Sequence, residues 1–180
     1  MTDLLALPAF ADDRSLNVVV ESPRGSNVKF KYDLEQGVMT LSRPLATGLT
    51  FPYDWGFIPS TCAPDGDPVD AIVLWERSSY PGIVLPCRPI GVLRAEQANA
   101  ASGNRERNDR VFVVPVKDPH SDGIQTVFDL SERLRAELEQ FFFAAVRFEK
   151  KDLKLLGWAG PKDAVELVEA SLDEQHAQSK

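Results

Sequence analysis

Hydrophobic and polar positions alternate with a period of two along most of the first two thirds of the chain. In the last third they change to steps of three and four. Residues 17–21, Asn-Val-Val-Val-Glu, predict a strand ending in an acid, followed by a turn containing Pro23 and Gly25. Residues 28–33 alternate cleanly. Lys29, Lys31 and Asp33 share one side, and Val28, Phe30 and Tyr32 share the other. Glu35-Gln36-Gly37 predicts a hairpin turn into a strand over 38–41, which Arg43-Pro44 ends because proline lacks the ladder donor. Residues 51–59 are aromatic and interrupted by Pro52, Gly56 and Pro59, so they predict a strand bounded by tight bends. Further strands are predicted over 69–75, 83–85, 89–93 and 111–116. The polar stretch 98–109 reads as a mobile loop.

From Ser131 the apolar residues fall at Leu134, Leu138, Phe141, Phe142, Ala145 and Phe148, an amphipathic helix capped by Asp129 or Ser131. A second helix starts at Gly160-Pro161 and runs towards Gln175, with Ala164, Val165, Val168 and Leu172 on its inner face. Strands first and helices afterwards predict an α+β fold, a closed or nearly closed antiparallel β-barrel carrying two flanking helices.

Composition narrows the class. With 180 residues, 43% hydrophobic and 26% charged, the chain reads as a single domain over 1–180. Lys and Arg number 20 against 27 for Asp and Glu, and the resulting −7 argues against nucleic-acid or anionic-membrane binding. The first sixteen residues hold Asp3, Asp12, Asp13 and Arg14 and no long apolar core, which reads as neither a signal peptide nor a membrane span. Cys62 and Cys87 have no metal-like spacing, and two isolated thiols predict a reducing, cytoplasmic setting.

The candidate chemistry centres on Asp65-Gly66-Asp67-Pro68-Val69-Asp70. Asp65 and Asp67 share parity in an extended chain. Asp70 joins them only if the chain turns, which Gly66 and Pro68 permit. Three gathered carboxylates repel one another unless a hard cation sits among them, so oxygen-only ligands point to Mg²⁺, Mn²⁺ or Ca²⁺. An EF-hand is excluded: Asp65, Asp67 and Glu76 fit its positions 1, 3 and 12, but position 6 is Asp70 rather than Gly and Pro68 interrupts the loop. Glu21 adds an acid, and Lys29, Arg43 and Arg110 are isolated bases suited to a phosphate-rich anion. His120 and His176 are the only histidines. Gly-x-Ser-x-Gly, Walker A, Cys-x-x-Cys and His-Glu-x-x-His patterns are missing, which argues against nucleophilic triads.

The hexapeptide resembles the signature of the soluble family I inorganic pyrophosphatases. The resemblance extends to residues 19–23, Lys29, Arg43-Pro44, residues 51–59 and Cys87-Arg88-Pro89-Ile90-Gly91-Val92-Leu93, and so covers most of residues 17–158. It implies an OB-like five-stranded barrel, Mg²⁺-dependent hydrolysis of pyrophosphate and a homo-oligomer, commonly a hexamer in bacteria. By position it implies Asp65 and Asp70 as metal ligands and Asp67 as the base acting on metal-bound water. It implies Lys29, Arg43 and Arg110 as phosphate ligands, and Glu21 as a supporting acid in the same cavity.

The chain departs from the family pattern at several places. An expected Glu is Lys31, and two expected tyrosines are Phe51 and Trp55. An acidic pair is reduced to Glu96, one place out of step. A metal-binding Asp aligns with Asn108, and a Tyr-Lys pair falls on Ala145-Val146. Asp109, adjacent to Asn108, joins Asp65, Asp67 and Asp70 in the candidate metal set. Lys31 and Trp55 join the candidate substrate-binding set. Lys31 either supplies charge in place of a lost metal or marks a different substrate. Two other functions stay open: hydrolysis of another small phosphoanhydride or phosphate ester, and a non-catalytic binding module on an OB-like barrel.

Overall fold

The computed structural model describes residues 3–33, 35–99, 103–149 and 151–178, with side chains to residue 172. The elements are β1 (Phe10–Asp12), β2 (Ser15–Ser22), β3 (Val28–Asp33), β4 (Val38–Pro44), β5 (Asp54–Phe57), β6 (Asp70–Val73), β7 (Val84–Ala98), β8 (Arg105–Arg107), β9 (Arg110–Pro115), α1 (Glu132–Ala145), β10 (Lys154–Ala159) and α2 (Pro161–Gln178).

Five strands close on themselves. β2 pairs β5, β5 pairs β6, β6 pairs β9, β9 pairs β7, and β7 returns to β2. This is the five-stranded barrel expected from the resemblance, and it removes sheet edges around the site. One pairing differs from the antiparallel expectation: β6 and β9 run parallel, with Asp70 opposite Arg110. The long β7 lies between them in sequence and supplies the crossover.

The predicted strands at 83–85 and 89–93 are one bent strand. β7 pairs β2 through residues 84–87, β9 through 87–93 and β10 through 92–96. Its prolines suggest breaks, yet each end of the strand serves a different neighbour, so the chain bends without leaving the sheet. Within the predicted loop 98–109, residues 105–107 form β8 against β7. Residues 100–102 lie outside the described residues.

β6 and β9 read as continuous apolar runs because both faces are buried. Ile72, Leu74, Phe112 and Val114 enter one core with Phe141 and Phe142 of α1, whereas Ala71, Val73, Val111 and Val113 enter another with Ala164 and Val168 of α2. Gly56 lets β5 cross β2, since a Cβ there would lie 2.0 Å from the Val19 carbonyl oxygen. Ser131 caps α1, its Oγ accepting from Leu134 N–H at 3.1 Å. Asp129 instead ends the preceding 3₁₀ turn, which Thr126 caps, and its carboxylate accepts from the Thr126 N–H at 2.8 Å. α1 ends at Ala145, so Phe148, expected on its inner face, stands 83% exposed. Among the described residues no helix is long and apolar enough to cross a membrane.

Candidate active site

A small polar cavity of about 70 Å³ opens where the β5–β6 turn, the β3–β4 hairpin, β9 and the end of α1 meet. Asp65, Asp67 and Asp70 line one side. Lys29, Arg43, Arg110 and Lys151 contribute bases, and Trp55, Gln97, Asn108 and Asp109 complete much of the wall.

The hexapeptide makes the predicted turn. Gly66 takes φ +85°, its N–H donating to the Ala63 carbonyl at 2.8 Å, and Ala63 N–H donates to the Asp67 carbonyl at 2.7 Å. Asp67 N–H also donates to Asp65 Oδ1 at 3.3 Å. Val69 then enters the core, and Asp70 begins β6. Burial, together with the nearby Asp70 carboxylate, raises the Asp65 pKa.

Each aspartate has one side-chain donor. Asn108 Nδ2 donates to Asp65 Oδ2 at 2.6 Å, and Trp55 Nε1 donates to Asp70 Oδ1 at 3.1 Å. Lys31 Nζ donates to both Asp67 oxygens, at 2.8 and 2.9 Å. The Trp55 N–H is therefore committed to orienting Asp70 rather than facing a phosphate. The Trp55 ring also faces two cations, Lys29 Nζ at 5.7 Å and the Arg110 guanidinium at 5.8 Å from its centroid.

Arg110 is 3% exposed and packs over Phe142 at 5.1 Å as well. One of its N–H groups donates to the Asn108 carbonyl at 2.8 Å, while its buried Nε has no acceptor among the described residues. Burial lowers its pKa, opposed by Asp70, Asp109 and Asp65. Arg43 reaches the cavity because β4 carries an extra residue there. Lys29 pairs with Arg43 while Phe30 pairs with Leu41, so a bulge at Ser42 turns Arg43 to the Lys29 side. Arg43 Nη2 then donates to the Ala145 carbonyl at 2.8 Å, and Nε lies 3.3 Å from Glu149. The end of α1 carries no polar side chain at Ala145 or Val146, yet its main chain holds Arg43.

Asp109, in the candidate metal set, is otherwise engaged: Oδ1 accepts from Ala95 N–H at 2.8 Å, and both oxygens accept from Arg107. Its neighbour Asn108 is the residue that faces Asp65. Glu96 pairs with Arg105, whereas Gln97 lines the cavity with a buried Oε1 that has no partner among the described residues. Glu21 lies in a smaller adjoining cavity with Lys29, Lys31, Asp67 and Asp70. Its Oε1 accepts from Tyr32 N–H at 2.7 Å, and burial pushes its pKa up to about 7 despite that bond and Lys29.

Sequence reading missed Gln97 and Lys151 as cavity residues. Lys151 follows α1, and its carbonyl accepts from Ala98 N–H at the end of β7, a link between segments far apart in the chain. Burial lowers the pKa of its amine, as do Lys29 and Arg110 nearby. No local motif marks it.

Among the described residues no three Asp, Glu, His or Cys side chains form a ready-made metal cage. That does not disfavour Mg²⁺, which retains waters and takes one or two carboxylates plus substrate oxygens. Asp65 and Asp70, with the unpartnered Gln97 Oε1 beside them in the cavity lining, fit such an ion.

Residues 18–176 match the family model described as inorganic pyrophosphatase. The chain is 35% identical over 167 residues to the inorganic pyrophosphatase of Synechocystis sp., covering 93% of this chain and 95% of that one. It is 36% identical over 163 residues to that of Saccharolobus solfataricus, covering 88% and 90%. The crystal structure of the Thermus thermophilus inorganic pyrophosphatase superposes with a TM-score of 0.89 at 34% identity, over 97% of this chain and 99% of that one. With the barrel, the aspartate turn and the facing bases in place, the chain belongs to the inorganic pyrophosphatase family.

Proposed function

We propose that the chain hydrolyses inorganic pyrophosphate to two phosphates with Mg²⁺, using water as the nucleophile. The observation that carries the reading is the meeting of Asp65, Asp67 and Asp70 with Lys29, Arg43, Arg110 and Lys151 in one cavity. Arg110 adds a buried Nε donor with no protein acceptor among the described residues. The cavity volume of about 70 Å³ favours a small anion. Drug-sized ligands occupy roughly 300–1,000 Å³. A cleft of about 560 Å³ lies elsewhere, but its lining of Asp12, Asp13, Asp118 and Asp122 against Arg14 and Arg88 suits no polyanion.

Asp65 and Asp70 would hold Mg²⁺, with Gln97 Oε1 beside them. Bound there, the ion supplies Lewis-acid charge and lowers the pKa of water. Asp67 takes the proton of the attacking water at a carboxylate oxygen. Lys29, Arg43, Arg110 and Lys151 bind the phosphate oxygens, offset the charge that develops on the departing phosphate and orient the bridging bond. Trp55 fixes Asp70, and Glu21 supports the hairpin backbone at Tyr32.

Residues 1–180 act in this reading as one cytoplasmic domain. Its homo-oligomer, a hexamer by resemblance, is supported by exposed Phe143 and Phe148 and is checked by sedimentation velocity. Phosphate release with Mg²⁺ from pyrophosphate, triphosphate and nucleotides tests the function. Release from pyrophosphate above all is expected. Preference for another substrate would select the broader hydrolase reading, and release from none would leave a binding module.

A further inference from the structure

We propose that Lys31 is a cation on Asp67 that stands in for a divalent ion, so the site loads one ion fewer than it would with an acid at this position. This rests on the metal-dependent reading of the same site. Of the three side-chain donors to the three aspartates given above, Asn108 and Trp55 are neutral and only Lys31 is charged. The three aspartates with Lys31 therefore carry a formal −2, equal and opposite to one divalent ion when Lys29, Arg43, Arg110 and Lys151 are left to the phosphate oxygens. A carboxylate in place of Lys31 would make the group −4, and a second ion would be needed to offset the added repulsion.

The contact joins two half-exposed side chains, 43% and 51% accessible, in a two-oxygen geometry. Lys31 sits within β3, paired with Thr40, whose Oγ1 donates to the Lys31 carbonyl at 3.2 Å. Its ammonium addresses both Asp67 oxygens rather than one. Glu21, Asp67 and Asp70 all face it across the smaller cavity, and Lys29 stands beside it. Burial is the largest single influence and opposes the charged amine, but the Asp67, Glu21 and Asp70 carboxylates together outweigh it and the Lys31 pKa is raised. Lys31 acts through Asp67 and is a positioning residue.

The test counts Mn²⁺ bound per chain without substrate, by electron paramagnetic resonance of the free ion, in the wild type, Lys31→Glu and Lys31→Met. Lys31→Glu is expected to bind one more Mn²⁺ than the wild type, and Asp67→Asn added to it should remove that extra ion. Lys31→Met, which adds no charge, is expected to tighten Mn²⁺ binding at the cluster about tenfold by removing one repelling cation. An unchanged count in a folded Lys31→Glu protein overturns the proposal. If that variant does not fold, unchanged or weaker Mn²⁺ binding by Lys31→Met overturns it instead. Because no turnover is read, a wild type inactive on pyrophosphate would sink the functional reading while leaving the count to decide this one.

Discussion

Two guanidinium groups line the same cavity and are held in opposite ways. Arg110 extends from a closed barrel, 3% exposed, between Trp55 and Phe142 and directly across the parallel pairing from Asp70. Arg43 lies on a two-stranded hairpin outside the barrel sheet, turned inward by a bulge and tied to a helix terminus and to Glu149. The barrel side leaves little freedom, because each strand is paired on both edges and packed on both faces. The hairpin lies outside the barrel sheet and meets it through Tyr32 and Met39, which pack with Val19 and Phe57, and through the Tyr32 N–H bond to Glu21. Departures fall on both sides: Lys31, Ala145 and Val146 on the hairpin and helix-end side, and Trp55, Glu96 and Asn108 on or beside the barrel strands β5, β7 and β9, while Asp65 and Asp67 stand in the turn that leads into β6 and Asp70 on β6 itself. Chemistry that needs fixed geometry is built on the barrel. Counter-charge comes from both sides, held rigidly at Arg110 and more loosely at Arg43 and Lys31.

The sharpest way to break this contrast is at Asp67. Asp67→Asn keeps the shape but removes the proton acceptor, and turnover on pyrophosphate should fall by about 10²–10⁴-fold with an unchanged melting temperature. Steady-state phosphate release checks it, and near-normal turnover would move the base elsewhere. Phe142 packs against Trp55, Phe112 and Phe141 beneath Arg110. Phe142→Ala should therefore cost about 3–5 kcal/mol in urea unfolding. A cost below 1 kcal/mol would show the core that α1 shares with the barrel beneath Arg110 to be as pliable as the hairpin.

Glu21 joins the two sides, since it sits on β2 and accepts from the hairpin. Its folded pKa of about 7 lies above the ordinary 4.5. The unfolded chain releases this proton first as pH rises, so stability should decline between about pH 4.5 and 7 and then level off. The loss is on the order of 3 kcal/mol. Lys29 and Lys31 oppose the shift and Asp70 reinforces it. In metal-free protein, Glu21→Gln should flatten this part of the stability-against-pH curve, measured by urea unfolding at pH 5 and 8. An unaltered curve would assign the dependence to other groups.

The smallest expected effect tests how freely the looser side exchanges charge. Lys151→Met should raise the KM for pyrophosphate about tenfold, a loss typical of one charge-assisted contact, with little change in melting. Val146→Lys in that background should restore much of the affinity by returning an amine from the end of α1. No rise in KM on removing Lys151 would take it out of the substrate-binding set, and no rescue by Val146→Lys would show that position does matter on this side.

Local sequence was sufficient where the controlling physics is local. Gly66 and Pro68 mark the turn that gathers Asp65, Asp67 and Asp70, and Ser131 with the three-to-four spacing after it defines α1, because backbone conformation and amphipathic burial are written within a few residues. The barrel was legible as well, through its apolar strands and the family resemblance. Tertiary structure alone decided the rest. By sequence parity Arg43 belongs on the Val28 side of the hairpin, and only the bulge at Ser42 places it opposite Lys29. Trp55 donates to Asp70 because β5 and β6 are neighbours, and Asn108 rather than Asp109 meets Asp65 because Arg107 and the Ala95 amide take the adjacent carboxylate. Lys151 enters the cavity through a main-chain bond to Ala98, and Lys31 meets Asp67 across 36 positions of chain. These contacts depend on which distant segments are brought within about 3 Å, a condition set by closure of the whole barrel and not by any residue's immediate neighbours.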